Sequence, residues 1–188
     1  MVFAVIALLV AVVSLSVGFA SFSTSLTIDG TGSVKSSSWK VKFENLLPVV
    51  KTGTASEVTA PTINTNDTNI GDYSVTLTTP GDTITYTFDI TNDGTFDAEI
   101  TSITVPTPTC TGTGANATAD GTNVCGNVEY TLTYDNGTAL AVGDKLTAGQ
   151  SKTAKLKLTY KNTATVEQLP SNDVAISNLG ITVVYSQD

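Results

Sequence analysis

The chain has 188 residues and a formal net charge of −8, from nine Lys or Arg against seventeen Asp or Glu, with no His. This balance disfavours nucleic acid and anionic lipid surfaces as partners. All nine basic residues are Lys, so neither a Ser-His-Asp triad nor a bidentate guanidinium clamp can be built. The 34 threonines favour strand over helix and predict a chain that is mostly sheet.

Residues 1–28 carry no charged side chain, and the first is Asp29. The apolar run from Met1 to Phe22 predicts a helix of roughly 33 Å, long enough to span a bilayer. Met1, Ala4, Ala7, Ala11, Ser14 and Gly18 recur at helical spacing and form one stripe of small residues after the initial methionine. Such a stripe lets apolar helices approach closely. The plain alternative is a single membrane anchor, in which Ala and Gly are common anyway. No Lys precedes Lys35. A signal anchor is flanked by basic residues and a signal peptide begins with them, so the expectation is either a truncated start or a basic leader already removed.

Residues 29–38 (DGTGSVKSSS) read as a flexible junction, and residues 39–188 as one β-rich head. Trp39, Val41 and Phe43 alternate with Lys40, Lys42 and Glu44, the pattern of a half-buried strand. Residues 51–73 read as a long polar loop with one short strand, and Val75 and Leu77 begin the next. Pro80-Gly81-Asp82 predicts a turn before the alternating Ile84, Tyr86, Phe88 and Ile90. Asn92-Asp93-Gly94 is a hairpin-type signal. Phe96, Ala98, Ile100, Ile103 and Val105 continue the sheet, with a phase slip near Thr101-Ser102 that predicts a bulge. Val128 to Tyr134, Ala154 to Tyr160 and Ile181 to Tyr185 supply three further strands, with a turn at Asp135-Asn136-Gly137. No helix is expected after residue 28. Ala148-Gly149-Gln150-Ser151 echoes Pro80-Gly81-Asp82, either as a duplicated half or as a recurring turn. The expected class is mainly β: an N-terminal apolar helix followed by an immunoglobulin-like or jelly-roll sandwich.

Cys110 and Cys125 are read as a disulfide closing a Gly/Thr/Asn-rich loop, the alternative being two free thiols. Two Cys without His do not complete a metal site, and no cofactor is expected. Asn92 to Asp97 offers oxygens near a glycine but lacks EF-hand spacing, and reads as a hairpin. Asp97 and Glu99 share a strand face, as carboxylates in any acidic sheet do. Asn66, Asn116 and Asn136 head N-glycosylation sequons in expected loops, although a chain rich in Asn and Thr also makes such triplets by chance.

An apolar N-terminal helix leading straight into a β-domain, carried by Met1 to Phe22 and the junction after it, resembles mature type IV pilins, and more closely the archaeal-type pilins. The resemblance implies that a peptidase removes a short basic leader, that the helices pack as a filament core, and that the β-domains coat it. Bacterial type IV pilins carry a glutamate at the fifth mature position. Here that position is Val5, which directs the resemblance to the archaeal-type branch. A second resemblance is to biofilm-matrix fibre subunits of the TasA and camelysin kind, carried by Gly18-Phe19-Ala20 as a signal-peptidase site and by Phe22 to Ile28 (FSTSLTI). It implies a jelly-roll that polymerises by donating that segment to the next subunit. The segment Thr83 to Asn92 (TITYTFDITN) also looks like repeats of bacterial surface sandwiches.

The expectation is therefore a pilin: a non-enzymatic structural subunit of an extracellular, cell-surface filament that polymerises through its N-terminal apolar helix, with the β-sandwich head outside and a role in adhesion. Its partners are copies of itself, and the membrane before assembly. The alternatives are the donor-strand fibre and a monomeric membrane-anchored surface domain.

Overall fold

The computed structural model describes residues 31–71 and 73–188. The chain divides into two units, Met1–Ser36 and Ser37–Asp188. Of the first, residues 31–36 are described; they are exposed and carry no regular secondary structure. The expected helix over 1–22, with Met1, Ala4, Ala7, Ala11, Ser14 and Gly18, lies outside the described residues, as does Phe22 to Ile28. Among the described residues no helix is long and apolar enough to cross a membrane.

The second unit is mainly β. Its centre is β7 (Thr83–Asn92), where strict alternation has the expected result: Ile84, Tyr86, Phe88 and Ile90 are all buried. Burying side chains of this size contributes roughly 1.5–3 kcal/mol each, which makes this strand the spine of the head. β7 pairs antiparallel with β12 (Ser151–Tyr160) on one side and with β1 (Val41–Glu44) and β2 (Val50–Thr52) on the other. β10 (Val128–Tyr134) pairs with β12 and completes this five-stranded sheet. A three-stranded sheet runs β11 (Lys145–Leu146), β8 (Ala98–Thr104), β14 (Thr182–Gln187). Phe88, Ile90 and Ala154 from the first sheet share one buried cluster with Ala98, Ile100 and Leu146 from the second.

The turn before β7 and the turn before β12 are equivalent. Asp82 N donates to Thr79 O and Gln150 N to Thr147 O, around Gly81 and Gly149, both with positive φ. Each glycine N–H then caps the end of the other strand: Gly81 N donates to Tyr160 O, and Gly149 N to Asn92 O. The sequence echo is thus a repeated turn at the two ends of one antiparallel pair.

Three expectations need correction. Asn92-Asp93-Gly94 is not a hairpin: β7 and β8 lie in different sheets, and residues 93–97 carry the chain between them. The reason is Asn92, which is fully buried. Its amide donates to Phe96 O and Leu146 O, both at 2.9 Å, and its Oδ1 accepts Gly94 N at 3.0 Å. A side chain committed to these three bonds turns the strand out of its sheet.

Residues 51–73 are more structured than a loop with one strand. β3 (Ser56–Thr59) pairs with β6 (Ser74–Thr76), and β4 (Thr62–Ile63) with β5 (Ile70–Gly71). These ladders are too short to show periodicity in sequence. The expected bulge near Thr101-Ser102 is present: Val184 faces Ser102 while Tyr185 faces Ile100, so Thr101 is the extra residue.

A helix does follow the strands, contrary to expectation: α1 (Ala117–Asn127). Its sequence, ATADGTNVCGN, is a poor helix former with two glycines. Tertiary ties hold it. The Cys110–Cys125 disulfide joins it to β9 (Thr109–Gly112), Val124 and Asp120 are buried, and Gly121 packs so closely on Cys110 O that a Cβ would clash. β9 pairs with β13 (Val174–Ser177), and Val124 packs with Val128, Leu158 and Tyr160 in a second cluster. The bridge therefore closes a strand–helix unit, not a loop. Alkylation of the folded, unreduced protein is expected to label neither cysteine. Cys125→Ser should cost about 3 kcal/mol by the chain-entropy argument for a fifteen-residue loop. Thiol mass mapping and thermal unfolding check the pair of results.

Candidate assembly site

A cleft of about 550 Å³ lies between the inner face of the five-stranded sheet and β14. Its floor is apolar because the inward positions of four alternating strands meet there: Val41 and Phe43 of β1, Phe88 and Ile90 of β7, Leu156 of β12 and Leu132 of β10. Phe43 sets its ring edge-on to Phe88 at 5.4 Å. Val183 and Tyr185 of β14 form one wall. The opposite wall is the turn at residues 67–70, tied to β1 where Phe43 N donates to Asp67 O at 2.6 Å.

β14 gives the cleft its character. Among the described residues it is an outer strand of its sheet, paired with β8 alone. Its other edge faces the cleft with the N–H and C=O groups that a further strand would take up. The wall also lowers acidity: burial pushes the Tyr185 hydroxyl up to about 12, with a smaller push from the Asp144 carboxylate.

One end of the cleft is shut. Tyr73 shares a 2.7 Å hydrogen bond with Tyr130 OH and donates at 3.2 Å to Leu179 O, bridging β10 to the segment that leads into β14. Burial raises the Tyr73 pKa, while the bond to Tyr130 lowers it. Behind this clasp Val75, Ile84, Tyr86 and Leu158 enclose a void of only about 10 Å³. The other end is marked by Trp39, which is 45% exposed.

Sequence reasoning identified Trp39, Val41, Phe43, Val183 and Tyr185 as members of alternating strands, but not as walls of one cleft. Alternation shows which side chains share a face; the facing sheet is missing from that pattern. Asn66, Asn116 and Asn136 are all exposed. They lie apart from one another: Asn66 in the turn beside the cleft wall, Asn116 immediately before α1 with its amide donating to Ser171 Oγ at 3.2 Å, and Asn136 in the turn after β10 with its Oδ1 accepting Thr138 N at 2.9 Å. Asp97 is taken up structurally, accepting Ala148 N at 2.8 Å. No group of three or more metal-ligating side chains gathers among the described residues.

Sequence reasoning also missed Asp82, which is 1% exposed. Its carboxylate accepts Thr54 N, Thr78 N and Thr79 N, together with the hydroxyls of Thr54 and Thr79. Burial alone would push its pKa up. The bonds from Thr79, Thr54 and Thr78 outweigh that and hold it well below the usual carboxylate range. The group ties residues 53–54 to the turn before β7, which makes it a structural clamp. Comparison with family models, with curated proteins and with solved structures returns no match, so the cleft itself carries the functional argument.

Proposed function

We propose that this protein is a structural subunit of an extracellular filament, in which a segment from one copy completes the β-sandwich head of the next. The observation that carries the reading is the apolar cleft along the unpaired edge of β14. Its shape and chemistry suit an extended strand with every second side chain apolar. Phe22 to Ile28 approaches that pattern: alternation sets the apolar Phe22, Leu26 and Ile28 on one face, with Thr24 among them, and Ser23, Ser25 and Thr27 on the other. Strand addition supplies affinity through main-chain hydrogen bonds and specificity through alternate side chains. It also removes an exposed edge that otherwise invites aggregation. The acidic, Thr-rich exterior then faces solvent and any surface the filament adheres to.

A second assembly mode, packing of helices over residues 1–22, is favoured by the stripe of Ala4, Ala7, Ala11, Ser14 and Gly18. The two modes differ in what remains at the amino terminus. Material sheared from cells is expected to contain an N-terminal peptide starting near Ser21. A peptide starting at Met1 moves assembly to a helical core, and absence from the sheared fraction leaves an anchored monomer.

The cleft has its own test. Val183→Lys sets a charge on its wall, and an unpaired charge there costs several kcal/mol. Fibre yield should fall about a hundredfold, since each factor of ten corresponds to about 1.4 kcal/mol. Because Val183 also packs against the buried cluster of Phe88, Ile90 and Ala98, Val183→Ala is the control: it gives up the same packing without the charge and should keep fibre yield near that of the wild type. Wild-type fibre yield from Val183→Lys rejects the cleft as the assembly site.

A further inference from the structure

We infer that the docked segment has one polarity, with Phe22 of the donating copy at the Tyr73 end of the cleft and Ile28 at the Trp39 end, so that it runs parallel to β14. This inference rests on the strand-donation reading and adds its direction.

Tyr73 reaches Tyr130 and Leu179 at 2.7 and 3.2 Å, and Leu179 lies three residues before Thr182, where β14 begins. The shut end is therefore the start of β14. The far end of β14 lies beside the crossover after β7: Gln187 pairs with Ala98, and Asp188 N donates to Asp97 O at 3.0 Å. Trp39 lies at that same end, because Val41 pairs with Asn92.

A donated segment must stay joined to its own head through residues 29–38. The clasp bars those ten residues from continuing past the Tyr73 end, where Tyr73 is bonded to both Tyr130 and Leu179. They leave by the Trp39 end, which places Ile28 there and Phe22 against the clasp. The lengths agree. β14 has six residues and Phe22 to Ile28 has seven, about 20 Å at 3.3 Å per residue. The arrangement leaves no room for residues 1–20 beyond Phe22. It therefore requires that the assembled subunit begin near Ser21, which makes Tyr73 the stop that sets register.

Cysteine pairs placed on the outward faces of the two strands test this. Adjacent strands lie about 4.8 Å apart, within reach of a disulfide. Ser25→Cys with Val184→Cys, at the middle, links neighbouring subunits in either polarity. Ser23→Cys with Thr182→Cys links them only in the parallel one, and Thr27→Cys with Thr182→Cys only in the antiparallel one. Ser23 and Thr27 are about 13 Å apart along a strand, too far for both to reach Thr182. Oxidised fibres run on a non-reducing gel should give ladders from the middle pair and from 23/182, and monomer from 27/182. A ladder from 27/182 overturns the polarity while strand donation stands. Monomer from the middle pair overturns donation itself, and this inference with it.

Discussion

Asp82→Asn is expected to destabilise the head by about 3 kcal/mol, the scale of leaving donors unpaired around a buried, formerly charged acceptor. Both oxygens of Asp82 are in use. Oδ1 takes Thr54 N at 2.7 Å and the Thr79 hydroxyl at 3.1 Å, while Oδ2 takes Thr78 N at 2.7 Å, Thr79 N at 3.0 Å and the Thr54 hydroxyl at 2.8 Å. An amide turns its NH₂ toward one of these sets whichever way it flips, so at least one backbone N–H meets a donor. For a head of this size the melting temperature should drop by roughly 10 °C. Gly53 depends on the same carboxylate: it holds φ +67°, and a Cβ there would run into Asp82.

The clamp also has a pH signature. The folded-state pKa of Asp82 is depressed below its ordinary value of 3.8. Its stabilisation is therefore complete above that value and is lost as pH falls toward the folded pKa. The difference in melting temperature between wild type and Asp82→Asn should be constant from pH 7 to about pH 5 and shrink between about pH 4 and pH 2. Thermal unfolding of both proteins across that series measures it. Glu44, Asp93, Asp188 and Glu167 also have lowered pKa values, through Thr91 and Lys42, Lys42, Lys145, and hydrogen bonds at the start of the 166–168 turn respectively, but all four are the same in both proteins and cancel in the comparison. A difference that stays flat to pH 2 would mean that the carboxylate is not held ionised.

Asn92→Ala should cost a similar amount, about 3 kcal/mol, by a different route. It strands the carbonyls of Phe96 and Leu146 and the N–H of Gly94 without partners. The loss is local in a useful way. Leu146 O belongs to β11 and Phe96 O to the crossover, so the variant loosens the three-stranded sheet from β7. Hydrogen exchange is expected to rise first in β8, β11 and β14, with β12 and β10 still protected. Because β14 walls the cleft, fibre assembly should weaken in the same variant. Uniform loss of protection across both sheets would mean that Asn92 supports the whole head and not the crossover.

Both positions were visible in the sequence as turn residues and neither as what it is. Pro80-Gly81-Asp82 and Asn92-Asp93-Gly94 carry local turn chemistry, which is legible because a turn is made within four residues. Whether the side chain at such a turn is solvated or buried depends on Thr54 and Leu146, which come from 28 and 54 residues away. The same limit explains α1. Its residues have little helix propensity; the disulfide partner that holds them belongs to β9, and the buried side chains they pack against belong to β10 and β12.

The alternating strands were legible by themselves: Ile84 to Ile90 on β7, Val128 to Tyr134 on β10 and Ala154 to Tyr160 on β12, together with the slipped phase at Thr101 that became a bulge. The period of two is a property of the strand itself, and burial of one face enforces it whatever the partner. The mainly β class and the Cys110–Cys125 pairing follow from composition and spacing in the same local way. Tertiary structure alone decided which strands face one another, that β14 is left with an open edge above Phe43, Phe88 and Leu132, and that Tyr73 shuts one end of that cleft. Those are contacts between residues far apart in sequence, set by how two sheets close over a shared core, and no single strand records which neighbour it lacks.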